Sequence, residues 1–320
     1  MVAIQTDTRP QLIAIFTLLA LIVALGSAFF AVAYETNTSL SPHAEPAAIA
    51  LTEAPNPFEG IVLFAKSAVV LDTSNGHVLY AKNADAQLPL ASLTKVALAL
   101  VVNDVIPEDS LIPITHNVGP TSHTTRLIEG QKFKAKDLIS FMLSGSSNEA
   151  AQILAETADE PLRARFMSAP HNAAAVWRMN ERMVELGLYH TYFLNATGLD
   201  ESTTQAGAYG SAYDIARLFG YAASSSESLF AETAEQKVTI TSTDGTSAGA
   251  DNTDLALDII PGLVMGKTGT TDLAGGNLAV VYDVGHHHLL VAVVLGSTED
   301  GRFTDIRTLV DRSKEVLATQ

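Results

Sequence analysis

The run Pro89-Leu90-Ala91-Ser92-Leu93-Thr94-Lys95, continued by Val96-Ala97-Leu98-Ala99-Leu100-Val101-Val102-Asn103, constrains the fold more than any other stretch. It reads as a helix that is apolar on every side from Val96 to Val102, and such a helix belongs in an interior. Other elements must therefore surround it, which requires a domain large enough to bury a helix whole. Yet Lys95 stands in its first turn, and a buried ammonium is expensive unless it is paired or neutral. The material for such a core is present, because 47% of the 320 residues are apolar, enough for one large domain or two smaller ones.

The surrounding elements follow from hydrophobic period. Ser67 to Asp72 and His77 to Lys82 are β-prone runs joined by Thr73-Ser74-Asn75-Gly76, whose Asn-Gly is a hairpin signal. From about 90 to 235 the period is mostly helical, over Ala135 to Leu143, Asn148 to Thr157, Ala173 to Leu186 and Ser211 to Tyr221. Strands return at Asn277 to Val284 and His287 to Leu295, around a Gly285-His286 turn, and Phe303 to Leu317 has helical spacing. Strands at both ends of a helical middle predict an α+β fold. One antiparallel sheet is assembled from distant segments, terminal helices pack on it, and a mostly helical region is inserted.

The N-terminus predicts where such a domain works. Leu12 to Tyr34 runs without a charge, after Arg9 and before Glu35, which is long enough to span a bilayer. Ala31-Val32-Ala33 is also a good small-x-small cleavage site. Residues 1–34 are therefore expected to be a transmembrane anchor or a signal segment cleaved after Ala33. Either way, the body of the protein is exported and any membrane contact runs through this segment. Residues 35–59, rich in Ser, Thr, Ala, Glu and Pro, read as a flexible stalk, and 60–320 as the folded domain. With 19 basic against 35 acidic side chains, a net charge of −16 and no Lys/Arg-rich run, no nucleic-acid partner is expected. The absence of cysteine excludes disulfides and thiolate chemistry.

Ser92 precedes Lys95 by three positions and so shares its helical face. A serine hydroxyl is a weak nucleophile until a base takes its proton, and a lysine can be that base only where burial or nearby cations lower its pKa. An apolar helix supplies the burial, and its N-terminus a positive field that opposes protonation of Lys95. Taken alone, the pair is a weak signal, and Ser92 reads better as an N-cap and Lys95 as a snorkelling side chain. Two further elements follow in order. Ser146-Ser147-Asn148 lies in a Ser/Gly-rich turn between helices, and Lys267-Thr268-Gly269-Thr270 lies just before the late strand pair. Ser146 offers a hydroxyl that can relay a proton, and Asn148 an amide that can donate to and accept from a peptide bond. Lys267 and Thr268 can hold a carboxylate, and Gly269 lets a backbone approach an extended peptide. A cation at 267 also favours a neutral Lys95.

Ser-x-x-Lys, Ser-x-Asn and Lys-Thr-Gly in this order form the signature set of penicillin-binding proteins and serine β-lactamases. Over about residues 60 to 320 the chain resembles the serine D-alanyl-D-alanine carboxypeptidases, the low-molecular-mass penicillin-binding proteins. The likeness extends to Leu88 to Ala91, Asn148 to Ala151, Met179-Asn180, Leu186 to Leu188, Thr191 to Phe193, Asn195 to Leu199, Ala274-Gly275, Val293 to Gly296 and Arg302-Phe303. It implies the β-lactamase/transpeptidase-like fold, in agreement with the layout above. It also implies that Ser92 attacks the penultimate D-Ala carbonyl of peptidoglycan stem peptides ending in D-Ala-D-Ala, with Lys95 as base and Ser146 as proton shuttle. Asn148 would bind the substrate amide, Lys267 and Thr268 the terminal carboxylate, and the N–H groups of Ser92 and Thr270 would form the oxyanion hole. No metal or organic cofactor is required, and β-lactam antibiotics would be covalent inhibitors. Such proteins often carry a C-terminal β-rich domain and an amphipathic tail; this chain stops just after its terminal helix, so an anchor is expected only at the N-terminus.

Three alternatives share this scaffold. A D,D-endopeptidase cleaving cross-links uses the same residues. A class A β-lactamase needs a glutamate for deacylation in a Glu-x-x-Leu-Asn stretch, whereas Thr191-Tyr192-Phe193-Leu194-Asn195 has threonine there and Ser147 replaces the usual aspartate. A non-catalytic peptidoglycan-binding protein would have lost motif residues, and none is lost. His286-His287-His288 reads as a solvated hairpin, because 286 and 288 share a strand face while 287 points away.

Overall fold

The structure, a computed structural model, describes residues 56–318. The expected anchor and all of the expected stalk up to residue 55 lie outside the described residues. The described residues before 60 pack on the domain, however. Phe58 is buried against the ring of Tyr80, so residues 56–59 belong to the folded domain rather than to a stalk. Among the described residues no helix is long and apolar enough to cross a membrane.

Five strands, β1 (Ser67–Asp72), β2 (Val78–Lys82), β3 (Leu263–Thr271), β4 (Gly275–Asp283) and β5 (Leu289–Ser297), form an antiparallel sheet in the order β3-β4-β5-β1-β2. The longer helices are α1 (Thr94–Val105), α2 (Ala135–Ser144), α3 (Asn148–Arg165), α4 (Ala174–Glu185), α5 (Ala212–Ser225) and α6 (Gly301–Ala318). Strand β1, Ser-Ala-Val-Val-Leu-Asp, is buried at every position, because both faces of the sheet are covered. On one face Ala68, Val70, Leu278, Val280, Ala292 and Val294 meet Ile306, Leu309 and Val310 of α6. On the other, Val69, Leu71, Ala279, Val281, Val291 and Val293 join the core of the helical region. The layout is the α+β arrangement expected from the sequence.

Helix α1 lies at the centre of that second core, with every residue from Thr94 to Val102 buried. This accounts for its lack of a polar face. Helix α3 outruns the expected end at Thr157, because Ala158 and Leu162 continue its buried stripe; Pro161 stands inside it.

The histidine run lies in the expected hairpin, with His286 and His287 exposed in the β4–β5 turn at φ of 57° and 58°; β5 starts at Leu289 rather than at His287. His288 is no free surface group, since its Nε2 lies 2.9 Å from Oδ2 of buried Asp72. Asp72 also accepts hydrogen bonds from Ser74 and Asn75 and so ties the β1–β2 turn to the β4–β5 turn. Among the described residues no group of His, Cys, Asp and Glu could hold a metal ion.

Candidate active site

Ser92 sits in a single 3-10 turn, Ala91–Leu93, that runs directly into α1. The preceding Ala91 has φ of 49°, a left-handed conformation that costs a residue bearing a Cβ about 1–3 kcal/mol. Neighbouring groups hold the strained turn in place. Fully buried Asn277 of β4 donates to the Pro89 carbonyl (2.9 Å) while accepting from the Gly296 amide of β5 (2.8 Å). The Leu90 amide donates to the Ala208 carbonyl at 3.0 Å. The sheet therefore fixes the position of the serine that begins the helix.

Lys95, one turn further on, is wholly buried. Its Nζ lies 2.7 Å from Ser92 Oγ, 2.8 Å from Asn148 Oδ1 and 2.8 Å from the Thr197 carbonyl. The last two atoms can only accept, so they take two N–H bonds from the amine. A neutral lysine has two N–H bonds and one lone pair, and the remaining direction is the one that meets the Ser92 hydroxyl. Burial, followed by the neighbouring charge of Lys267, holds the Lys95 pKa well below its ordinary value, against a smaller opposing pull from Glu149. An amine so placed is chemically able to accept a proton from a neighbouring hydroxyl.

The second serine belongs to the three-residue connection between α2 and α3. Ser146 adopts φ of 56°, again strained, while Ser147 caps α3 by accepting from the Ala150 amide at 3.1 Å. That cap explains a short polar residue at 147. Lys267 of β3 reaches across, donating to Ser146 Oγ at 3.1 Å and to the Thr268 carbonyl at 2.9 Å. Burial, and then the Arg302 guanidinium, lower its pKa to about 7, while Asp254 pulls it upward.

These groups border a cleft of about 390 Å³ whose wall includes Ser92, Ser146, Asn148, Thr268, Thr270 and Arg302. Strand β3 is the sheet edge on this side, so its outer backbone groups from Thr268 onward can pair with an extended chain. Further back the edge is closed by Thr233, whose hydroxyl accepts from the Gly266 amide at 3.2 Å. Gly269 permits the close approach of the strand to Ser92. A Cβ there would lie 2.8 Å from the Leu90 carbonyl oxygen and 3.1 Å from the Ser92 nitrogen.

Gly198 is under tighter constraint. Its φ is +81°, and a Cβ would lie 1.9 Å from the Ala91 carbonyl oxygen. A Gly198→Ala protein is expected to lose about 3 kcal/mol of stability, a fall of roughly 6 °C or more in melting temperature, together with covalent labelling at Ser92. Calorimetry and mass spectrometry check this, and wild-type values in both would contradict the packing described.

A family model described as D-alanyl-D-alanine carboxypeptidase matches residues 52–299. The chain belongs to that family. Among its relatives, D-alanyl-D-alanine carboxypeptidase DacF of Bacillus subtilis is 28% identical over 260 residues, covering 77% of this chain and 61% of that protein. A D-alanyl-D-alanine endopeptidase of Pseudomonas aeruginosa is 32% identical over 161 residues, 48% of each chain. The chain thus spans less than two thirds of the length of these two relatives. Penicillin-binding protein D2 of Listeria monocytogenes, solved with ampicillin bound, superposes with a TM-score of 0.64 at 26% identity, covering 79% of this chain and 98% of that one.

The structure brings the residues singled out in the sequence together and places two of their contacts differently from expectation. Ser92, Lys95 and Asn148 meet directly, Ser146 meets Lys267, and Thr268, Gly269 and Thr270 form the wall beside them. Asn148, however, gives its Oδ1 to Lys95, so its donor end is the one free to meet a carbonyl. Lys267 directs its ammonium at Ser146 and lies behind the wall rather than in it. The cation that lines the cleft is Arg302, whose Nη1 bonds the Thr270 hydroxyl and the Gly269 carbonyl. The sequence reading assigned no role to Arg302, Asn277 or the Thr197 carbonyl. Arg302 and Asn195 to Leu199 stood out only as marks of resemblance. Their positions, 32 residues from Thr270 and 102 from Lys95, carry no local pattern.

Proposed function

We propose that the protein is a serine D-alanyl-D-alanine carboxypeptidase that removes the terminal D-Ala from peptidoglycan stem peptides and is acylated by β-lactams. The observation that carries this reading is the Lys95 amine, held by two pure acceptors with its third contact on Ser92 Oγ at 2.7 Å. In the proposed cycle, Ser92 Oγ attacks the penultimate D-Ala carbonyl while its proton passes to Lys95. The oxyanion that forms is met by the Ser92 and Thr270 amides. The tetrahedral intermediate collapses, and the C–N bond breaks as the departing D-Ala amine receives a proton through Ser146. Water then attacks the ester and restores the Ser92 hydroxyl.

The substrate carboxylate is proposed to meet Thr268, Thr270 and Arg302, with Lys267 acting from behind the wall. Asn148 Nδ2 donates to the stem-peptide carbonyl, and the outer edge of β3 pairs with the peptide backbone. Residues 1–34 are proposed to anchor or export the domain, with the residues up to 55 as tether, so that catalysis takes place outside the cytoplasm.

Incubation of the full-length protein with purified sacculi, read by mass, tests the assignment. Loss of a single alanine from pentapeptides is the expected outcome. Conversion of cross-linked dimers to monomers, without that loss, would move the assignment to an endopeptidase, the activity in the name of its Pseudomonas relative.

A further inference from the structure

One buried acid takes no part in the steps above. Asp254 is 2% exposed and follows Thr253, whose hydroxyl bonds that of Thr268 at 2.5 Å. Its Oδ1 accepts from the Ala256 amide at 2.8 Å. Oδ2 is buried and has no hydrogen-bond partner. That oxygen fits only because residue 266 is glycine, since a Cβ there would lie 2.8 Å from it. Gly266, Thr268 and Thr270 share one face of β3, so the carboxylate lies further back on the same face of the strand from which Thr268 and Thr270 line the proposed anion subsite. Arg302 approaches the same face through Thr270, and its Nε is likewise buried without a partner.

A lone acid beside a subsite for a carboxylate repels the ligand unless it offsets cations already there. The charges acting on Lys267 are Arg302 and Asp254, and Lys267 in turn acts on Lys95. Glu232, on the short helical turn packed against β3, is exposed, and Glu299 and Asp300 act on Arg302 from its own side.

We propose that Asp254 is a positioning residue for the carboxylate subsite. Its buried carboxylate, set against the strand that carries Lys267, offsets the repulsion between Lys267 and the always-charged Arg302, so that Lys267 stays protonated and can attract the substrate carboxylate. The inference rests on the carboxypeptidase reading. Burial pushes the Asp254 carboxyl up, while the Ala256 amide, Lys267 and Arg302 pull it back. Were Asp254 protonated at neutral pH, it would balance nothing, and this makes the proposal testable.

The test is the pH profile of acylation of the full-length protein by benzylpenicillin, itself a carboxylate, followed by intact mass. Lys267 must be charged to attract an anion, so acylation is expected to fall as pH rises through about 7. Lys95 must be neutral, so acylation also falls toward acid. Asp254→Asn keeps an oxygen for the Ala256 amide and removes only the charge. It is expected to retain the wild-type melting temperature and leave the acid limb in place, while moving the alkaline limb toward acid by about half a pH unit or more. At a pH above both limbs this makes acylation roughly three-fold slower than wild type. An alkaline limb that does not move, or a wild type without one near neutrality, overturns the proposal. A wild type that forms no adduct at any pH removes the carboxypeptidase reading itself, and this inference with it.

Discussion

Lys95→Arg is expected to cut acylation by about 10²–10⁴-fold, even though it keeps a basic side chain of similar length. A guanidinium cannot be deprotonated under these conditions, so it has no lone pair to offer the Ser92 hydroxyl. The buried setting of Lys95 does the opposite for an amine, by making its charged form the costly one. The rate of penicilloyl adduct formation, read by intact mass at a fixed β-lactam concentration, checks this. Circular dichroism separates a chemical defect from misfolding. A folded arginine variant that acylates within a factor of about ten of wild type would remove Lys95 from the role of base, because a general base contributes more than that.

Ser92→Ala is expected to abolish the adduct and to bring D-Ala release to background, because the Ser92 hydroxyl is the cleft hydroxyl that the Lys95 amine meets. In the wild type the adduct should persist. Thr191, which stands where a β-lactamase of class A would carry its deacylating acid, is buried and donates to Asp214 Oδ2 at 3.1 Å. The same oxygen accepts from the His190 amide at 2.8 Å. Residue 191 itself therefore offers a hydroxyl turned to Asp214 where the deacylating acid would stand. Gel fluorescence with a labelled penicillin measures both outcomes. Rapid turnover of a chromogenic cephalosporin, or labelling that survives in the alanine variant, would count against the assignment.

Much of this was legible along the chain, and the parts that were not share a cause. The apolar girdle of α1 and the continuous apolar strands β1 and β5 announce burial on all sides, and the structure supplies it. Ser92 and Lys95 are visible because they lie one helical turn apart. The Ser146 and Lys267 elements are visible as short motifs. What sequence period does not encode is convergence in space. The Thr197 carbonyl is a backbone atom that any residue could supply. Arg302 belongs to a helix start whose contact with β3 depends on how α6 crosses the sheet. Asp254 is one acid among 35 acidic residues in the chain until its burial and its orphaned oxygen are seen. The histidine turn shows the same limit, since periodicity separates strand faces only where a strand continues, and here the chain reverses.

The account rests on a neutral amine at Lys95, and that state can be observed directly. The full-length protein, labelled with ¹⁵N and ¹³C at lysine side chains, is titrated by NMR, and the Ser92→Ala form serves as a second sample to assign the signal near the nucleophile. The account predicts that Lys95 carries the chemical shifts of a neutral amine at neutral pH, titrating well below the ordinary lysine value, while exposed lysines stay charged. A Lys95 signal that remains that of an ammonium up to the ordinary lysine range would contradict it.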